Sequence, residues 1–342
     1  MYQNKENMMS NNLIYRTEAI QQQLRLKDPF IVTMHHVDHY PTGNEKMGPT
    51  IPPTPDAHYS MYHGETVPGF PAHPHTGFET ITLVEQGTVD HFDSLGNSGR
   101  YADGDVQWQS TGNGVEHSEM FPLVHQDKEN PLELFQIWFN SSPAQKKEHA
   151  VYKMFWREHI PHVVSTDAQG RKTDVRVISG QFNDHWSLAQ PPHSWAFAKE
   201  NKVNIFMIAL DANTELTIPA TSATSTRFAY FYEGDTLNIA GQNTPVKRLL
   251  ELKPDAEIVL KAGSTMTKIL WLEGEPIGAP VAAQGPFVLN SQHELQVAFS
   301  CYFETHFGGW PWDSTAPVFS PDQTRIASYR NGEQVEYPDQ VV

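Results

Sequence analysis

Residues 68–87 read PGFPAHPHTGFETITLVEQG, and residues 104–121 read GDVQWQSTGNGVEHSEMF. The first stretch holds His73-Pro74-His75 and, four residues on, Glu79; the second holds His117-Ser118-Glu119. Side chains two apart on a strand share a face. His73 and His75 therefore face one way, as do His117 and Glu119. If the two strands neighbour each other inside a barrel, three imidazoles and one carboxylate converge. That donor set suits one borderline divalent transition metal, such as Fe(II), Mn(II), Ni(II), Co(II), Cu(II) or Zn(II), without choosing among them. A cation that prefers oxygen ligands alone fits poorly.

An HxH pair by itself is a weak signal in a chain of 17 histidines. An HxE pair after a Gly-x-Gly turn, about 40 residues on, makes it a strong one. The surrounding sequence is strand-rich. Residues 80–84 (TITLV) end near Gly87, residues 89–92 follow, and residues 93–99 (DSLGNSG) form a turn. Residues 106–109 (VQWQ) alternate as a half-buried strand should, and residues 132–139 form a longer apolar strand.

A second strand-rich stretch covers residues 163–290. Its EGDTL at 233–237 resembles EQGTV at 85–89, which reads as a diverged repeat. The expectation is an all-β chain of two tandem barrels. Residues 1–28 are read as a loose arm or short helix, 29–140 as the metal-binding barrel and 141–162 as a linker. Residues 163–290 are read as a degenerate barrel, and 291–342 as a helix with an irregular tail. Ser291 and Glu294 have capping-box spacing. Leu295, Ala298, Phe299, Tyr302 and Phe303 then share a helical face, and Gly308-Gly309 stops the helix. Offsets from Gly87 carried over to Gly234 land on Ala220, Ser222, Ser264 and Met266, so the second barrel lacks the ligands.

The formal charge of −16, from 24 basic and 40 acidic residues, disfavours nucleic-acid partners. The densest basic cluster, Lys146-Lys147, is short. One cysteine, Cys301, excludes an intramolecular disulfide. The N-terminal MYQNKENMMSNN has no apolar core of a signal peptide, and no run approaches a membrane span. A cytoplasmic location without membrane partners is the expectation.

The G…HxH…E…G and G…GxGxxH patterns resemble the two motifs of the cupin superfamily. HPHTGFET, DSLGNSG, GDVQW, TGNGVEHSEM and the later GPFVLN (285–290) resemble, more narrowly, the pirin family over roughly residues 29–305. The resemblance implies two jelly-roll-like cupin barrels with iron in the first. It implies His73, His75, His117 and Glu119 as ligands, and favours Glu119 over Glu79, where strand parity leaves the choice open. Two functions follow from it. One is a quercetin 2,3-dioxygenase-like enzyme acting on a small aromatic or enolic substrate and dioxygen, with Glu119 as the catalytic base. The other is a non-catalytic, metal-containing or redox-sensing module that binds a protein partner, a transcription factor or an enzyme.

Glu79, His91 and His36 are candidates for an alternative ligand or for residues that support the ligands. For His91 the plainer reading is a satisfied barrel histidine. His35, His36 and His39 lack a carboxylate pattern for a second site, and supporting hydrogen bonds to the main one suit them better. Phe78 and Trp108 read as core, with an aromatic-substrate wall as the further option. Cys301 reads as buried and inert, and Trp310-Pro311-Trp312 as a plug on the second barrel.

Overall fold

The computed structural model describes residues 13–339. The described residues are mostly β, with one α-helix among them, Gln292–Thr305. It divides into two compact units, each assembled from separated pieces of sequence.

One unit comprises residues 21–160, 188–198 and 277–342. Two six-stranded sheets build it. The first runs Val151–Phe155, Val106–Ser110, Phe78–Gln86, Asn130–Asn140, Phe30–Tyr40, Gln23–Arg25. The second runs Gln334–Glu336, Ile326–Tyr329, Ser98–Ala102, Thr88–Asp93, Val115–Met120, Gly69–His75. The strand pairs are antiparallel throughout. Phe78 and Trp108 are fully buried, as the sequence predicts.

The other unit comprises residues up to 20, 161–187 and 199–276. A seven-stranded sheet carries Ile14–Ala19 at one edge, paired antiparallel with Arg248–Leu252. A four-stranded sheet holds Thr236–Ile239 between Ile258–Ala262 and Gln242–Pro245. Val175, Phe206, Phe231, Leu250 and Trp271 lie in its apolar core. The repeat is visible in the turns. Gly87 and Gly234 each separate consecutive strands with φ of +95° and +134°, values that an L side chain resists.

Several local expectations need correcting. Residues 1–12 lie outside the described residues, but 14–19 and 23–25 are strands rather than coil or helix. Their alternate burial is weak, so the pattern carries little strand signal; pairing with distant strands supplies it. Within 141–162, Val151–Phe155 extends the first sheet by pairing with Val106–Ser110. All five residues of Val106–Ser110 are buried, so both faces of that strand are covered rather than one.

The helix starts as predicted. Ser291 Oγ accepts from Glu294 N at 3.2 Å, and Glu294 Oε2 accepts from Asn290 N at 2.9 Å. Leu295, Ala298, Phe299 and Tyr302 pack on Phe287 and Leu289. Phe303 does not join them; it is 75% exposed. Cys301 is also exposed, against expectation, because it falls on the solvent side of the same helix. Trp312 covers the unit with the HxH strand, not the other: its Nε1 donates to Asp93 O at 2.8 Å and its ring meets Phe92. Among the described residues, no helix is long and apolar enough to cross a membrane.

Candidate metal centre

Gly69–His75 pairs antiparallel with Val115–Met120, and His73 stands directly opposite His117. Opposed residues in such a pair share a face, so the two-residue rule places His73, His75 and His117 together. Their ligand atoms all lie within 4.8 Å of one another. The Nε2 atoms of His73 and His117 are 3.0 Å apart. A bulge between Phe70 and His73 brings Phe70, rather than residue 71, opposite Glu119.

Backbone carbonyls orient two of the rings. His73 Nδ1 donates to Pro71 O at 2.8 Å, and His75 Nδ1 donates to Pro286 O at 3.3 Å. Each carbonyl only accepts, so each ring carries its proton on Nδ1 and leaves Nε2 bare, the arrangement a metal requires. Burial lowers the pKa of all three imidazoles, and the neighbouring histidines lower His75 and His117 further. All three are therefore neutral ligands at neutral pH.

Glu119 lies beside the three histidines. Its Oε2 lies 3.8 Å from His117 Nε2. Thr82 Oγ1 donates to Oε1 at 3.1 Å and Gln136 Nε2 to Oε2 at 2.7 Å, which fix the carboxylate. Trp138 Nε1 donates in turn to Gln136 Oε1 at 3.3 Å. Three imidazole nitrogens with bare lone pairs and an oriented carboxylate fit a divalent transition metal.

Glu79 stands apart, and parity now explains why. Thr76 and Gly77 interrupt the chain between Gly69–His75 and Phe78–Gln86, so His75 and Glu79 are not on one strand. On the second of these strands Phe78 meets the His75 ring and Thr82 meets Glu119. Even-numbered residues thus face the cluster, and Glu79 faces away. Trp108 Nε1 donates to its Oε2 at 2.5 Å and Ser194 Oγ at 2.8 Å. Gly77 is held at φ +86°, where an added Cβ would strike Val288 O.

Burial raises the Glu79 pKa to about 7. An acid raised in the fold favours folding below its unfolded pKa, and that advantage disappears as pH rises through 4.5 to 7. We expect Glu79→Gln to keep full metal content. Its stability relative to the parent should improve from pH 5 to pH 8 by an amount on the order of 3 kcal/mol or less. Metal analysis and denaturant melts at the two pH values check this; loss of metal in the variant would make Glu79 a ligand.

The other sequence candidates divide. His91 is opposite Glu119 in the adjoining pair, fully buried, and its ring centroid is 5.3 Å from that of His117. It stacks on Tyr152 and its Nε2 lies 3.6 Å from Asp93 Oδ2, but among the described residues neither ring nitrogen has a hydrogen-bond partner. His36 reaches Tyr62 and Phe70, and Phe70 in turn packs on His73. His35 bonds Glu133 and stacks on Phe135. Sequence reading missed Thr82, Gln136, Trp138 and Pro286, since no local motif marks them. Among the described residues no second group of His, Cys, Asp or Glu side chains converges in this way.

Comparison with known proteins identifies the family. The family model described as Pirin matches residues 12–139, and that described as the Pirin C-terminal cupin domain matches residues 205–308. Pirin-1 of Arabidopsis thaliana is 33% identical over 239 residues, 68% of this chain and 76% of that protein. The chain belongs to the pirin family. Its two β-rich units are accordingly cupin domains. A Pseudomonas aeruginosa pirin relative, named as a candidate quercetin 2,3-dioxygenase, is 33% identical over 69% of this chain and 79% of its own. The crystal structure of a quercetin 2,3-dioxygenase from Acinetobacter baumannii superposes with a TM-score of 0.71 at 23% identity. It covers 87% of this chain and 98% of that one, a likeness of fold.

Proposed function

We propose that this pirin-family chain is a metal-dependent dioxygenase that opens a flavonol such as quercetin with dioxygen and releases carbon monoxide. The supporting observation is the cluster of His73, His75 and His117 with Glu119 held beside it. These four residues would hold the metal, Fe(II) foremost. A bound divalent metal supplies a Lewis-acidic centre that lowers the pKa of a hydroxyl next to it.

The chain's own residues do the rest. Glu119, oriented by Thr82 and Gln136, takes the proton of the substrate hydroxyl. Phe70 and Trp138 are half-buried and pack on His73 and His75, apolar neighbours suited to an aromatic ring. Trp138, which packs on His75, also lines a cavity of about 470 Å³ together with Phe30, Val32 and Val288, although none of His73, His75, His117 and Glu119 lines it. That volume falls in the range of small-molecule sites.

The test is oxygen uptake with quercetin by protein loaded in turn with Fe, Mn, Ni, Co and Cu. Quercetin and oxygen are expected to disappear together with at least one metal. Stoichiometric metal with no uptake for any of them would discard the enzyme and leave the regulatory module, a reading the names of several relatives do not address.

A further inference from the structure

Asp38, Tyr62 and His36 form a hydrogen-bonded line that the reaction above does not use. Tyr62 Oη donates to Asp38 Oδ2 at 2.7 Å. The Tyr62 proton is thereby committed, so at the 2.8 Å contact with His36 Nδ1 the tyrosine oxygen accepts and the imidazole donates. Asp38 is itself fixed by Ser60 N, which donates to Oδ1 at 2.8 Å. The tautomer of His36 follows: its proton is on Nδ1, and Nε2 carries a lone pair with no hydrogen-bond partner among the described residues.

Register tells which way His36 points. Met34 stands opposite Gln136, whose amide holds Glu119. His36 is two residues from Met34 and shares that face. Its ring lies 6.0 Å from Phe70, which lies 6.2 Å from His73. His36 is therefore on the wall of the metal site, one aromatic ring away from the ligands. Met34, Tyr62, Phe70, His73, Gln136 and Trp138 keep part of their surface open, while His36 itself is 6% exposed.

We infer that His36 is a specificity residue whose bare Nε2 accepts a hydrogen bond from a phenolic hydroxyl at the end of the ligand remote from Glu119. Tyr62 and Asp38 are positioning residues that lock its tautomer. This rests on the dioxygenase reading and adds a ligand requirement: a flat aromatic with a neutral hydroxyl donor one ring beyond its enolic head. Burial and the neighbouring His35 bring the His36 pKa down to about 4, so the ring is neutral and accepts rather than repels such a donor at pH 7. The titratable groups facing it are Tyr62 and Asp38 along the line, with His35 beside it and His63 across Phe70. Burial raises the Tyr62 pKa, and the adjacent Asp38 raises it further, so the phenol keeps its proton.

The experiment compares anaerobic binding of quercetin and galangin to metal-loaded protein. Galangin keeps the enolic head and lacks the two hydroxyls on the remote ring. The parent should bind quercetin on the order of ten-fold more tightly than galangin, the effect of one well-made hydrogen bond in a desolvated site. His36→Leu should bring the ratio to about one with metal content unchanged, the signature of a pairwise term. Tyr62→Phe and Asp38→Asn, both conservative, should reduce the ratio in part by freeing the tautomer. An unchanged ratio in His36→Leu, or no preference in the parent, overturns the inference while the enzyme reading stands on galangin binding. Failure of the metal-loaded parent to bind either flavonol overturns both.

Discussion

A His117→Ala variant is expected to purify with less than about a tenth of an equivalent of transition metal where the parent carries about one. His117 is the centre of the cluster. Its Nε2 lies 3.0 Å from that of His73 and 3.8 Å from Glu119 Oε2. Alanine removes one of three imidazoles and leaves the other two without a common focus. Loss of a residue that merely supports a ligand costs about 10- to 100-fold in affinity, and loss of the ligand itself costs more. His73→Ala should behave alike. His185→Ala is the control, because His185 is exposed and belongs to the other unit. Inductively coupled plasma mass spectrometry on freshly purified proteins decides the matter. A full equivalent of metal in either ligand variant would reject the assignment.

Arg100→Ala should destabilise the same unit by about 3–5 kcal/mol, because it removes one partner of a buried ion pair. The guanidinium donates to both oxygens of Asp90 at 2.7 Å, and Asp90 is fully buried. Truncation leaves that carboxylate buried without its cation. Arg100 also donates to the carbonyls of Phe319, Ser320 and Gln323, and Phe319 N donates to Asp90. The ion pair therefore ties the C-terminal tail to the strands Thr88–Asp93 and Ser98–Ala102. A loss of this size should lower the melting temperature by roughly 10 °C and speed proteolysis near residue 320. The double variant Asp90→Leu/Arg100→Met should recover much of the loss, since a buried pair replaced by apolar groups is often neutral. A melting temperature within 2 °C or so of the parent in Arg100→Ala would show that water reaches Asp90.

The site was legible to the extent that its ligands lie on strands of period two. HxH and HxE spacing names His73, His75, His117 and Glu119 as residues that share faces, and the pairing of the two strands brings them together. The Glu79 choice was not legible. Parity counted across Thr76-Gly77 assumes one unbroken strand, and the chain turns there. Cys301 and Phe303 failed for a related reason: periodicity groups residues on a helix face, but the edge of the buried stripe depends on what packs against it.

The sequence by itself determined the all-β character, the helix and its cap, and the pairings of His73 with His75 and of His117 with Glu119 on shared strand faces. Each of these follows from spacing within a few residues, where chain geometry admits few alternatives. Only the tertiary structure decided that Ile14–Ala19 joins the edge of a sheet in the other unit, that Trp312 covers Asp93, and that Pro286 orients His75. It alone lined up His36, Tyr62 and Asp38 across 26 residues. Such contacts join positions far apart in the chain through hydrogen bonds and packing, and no local period encodes them.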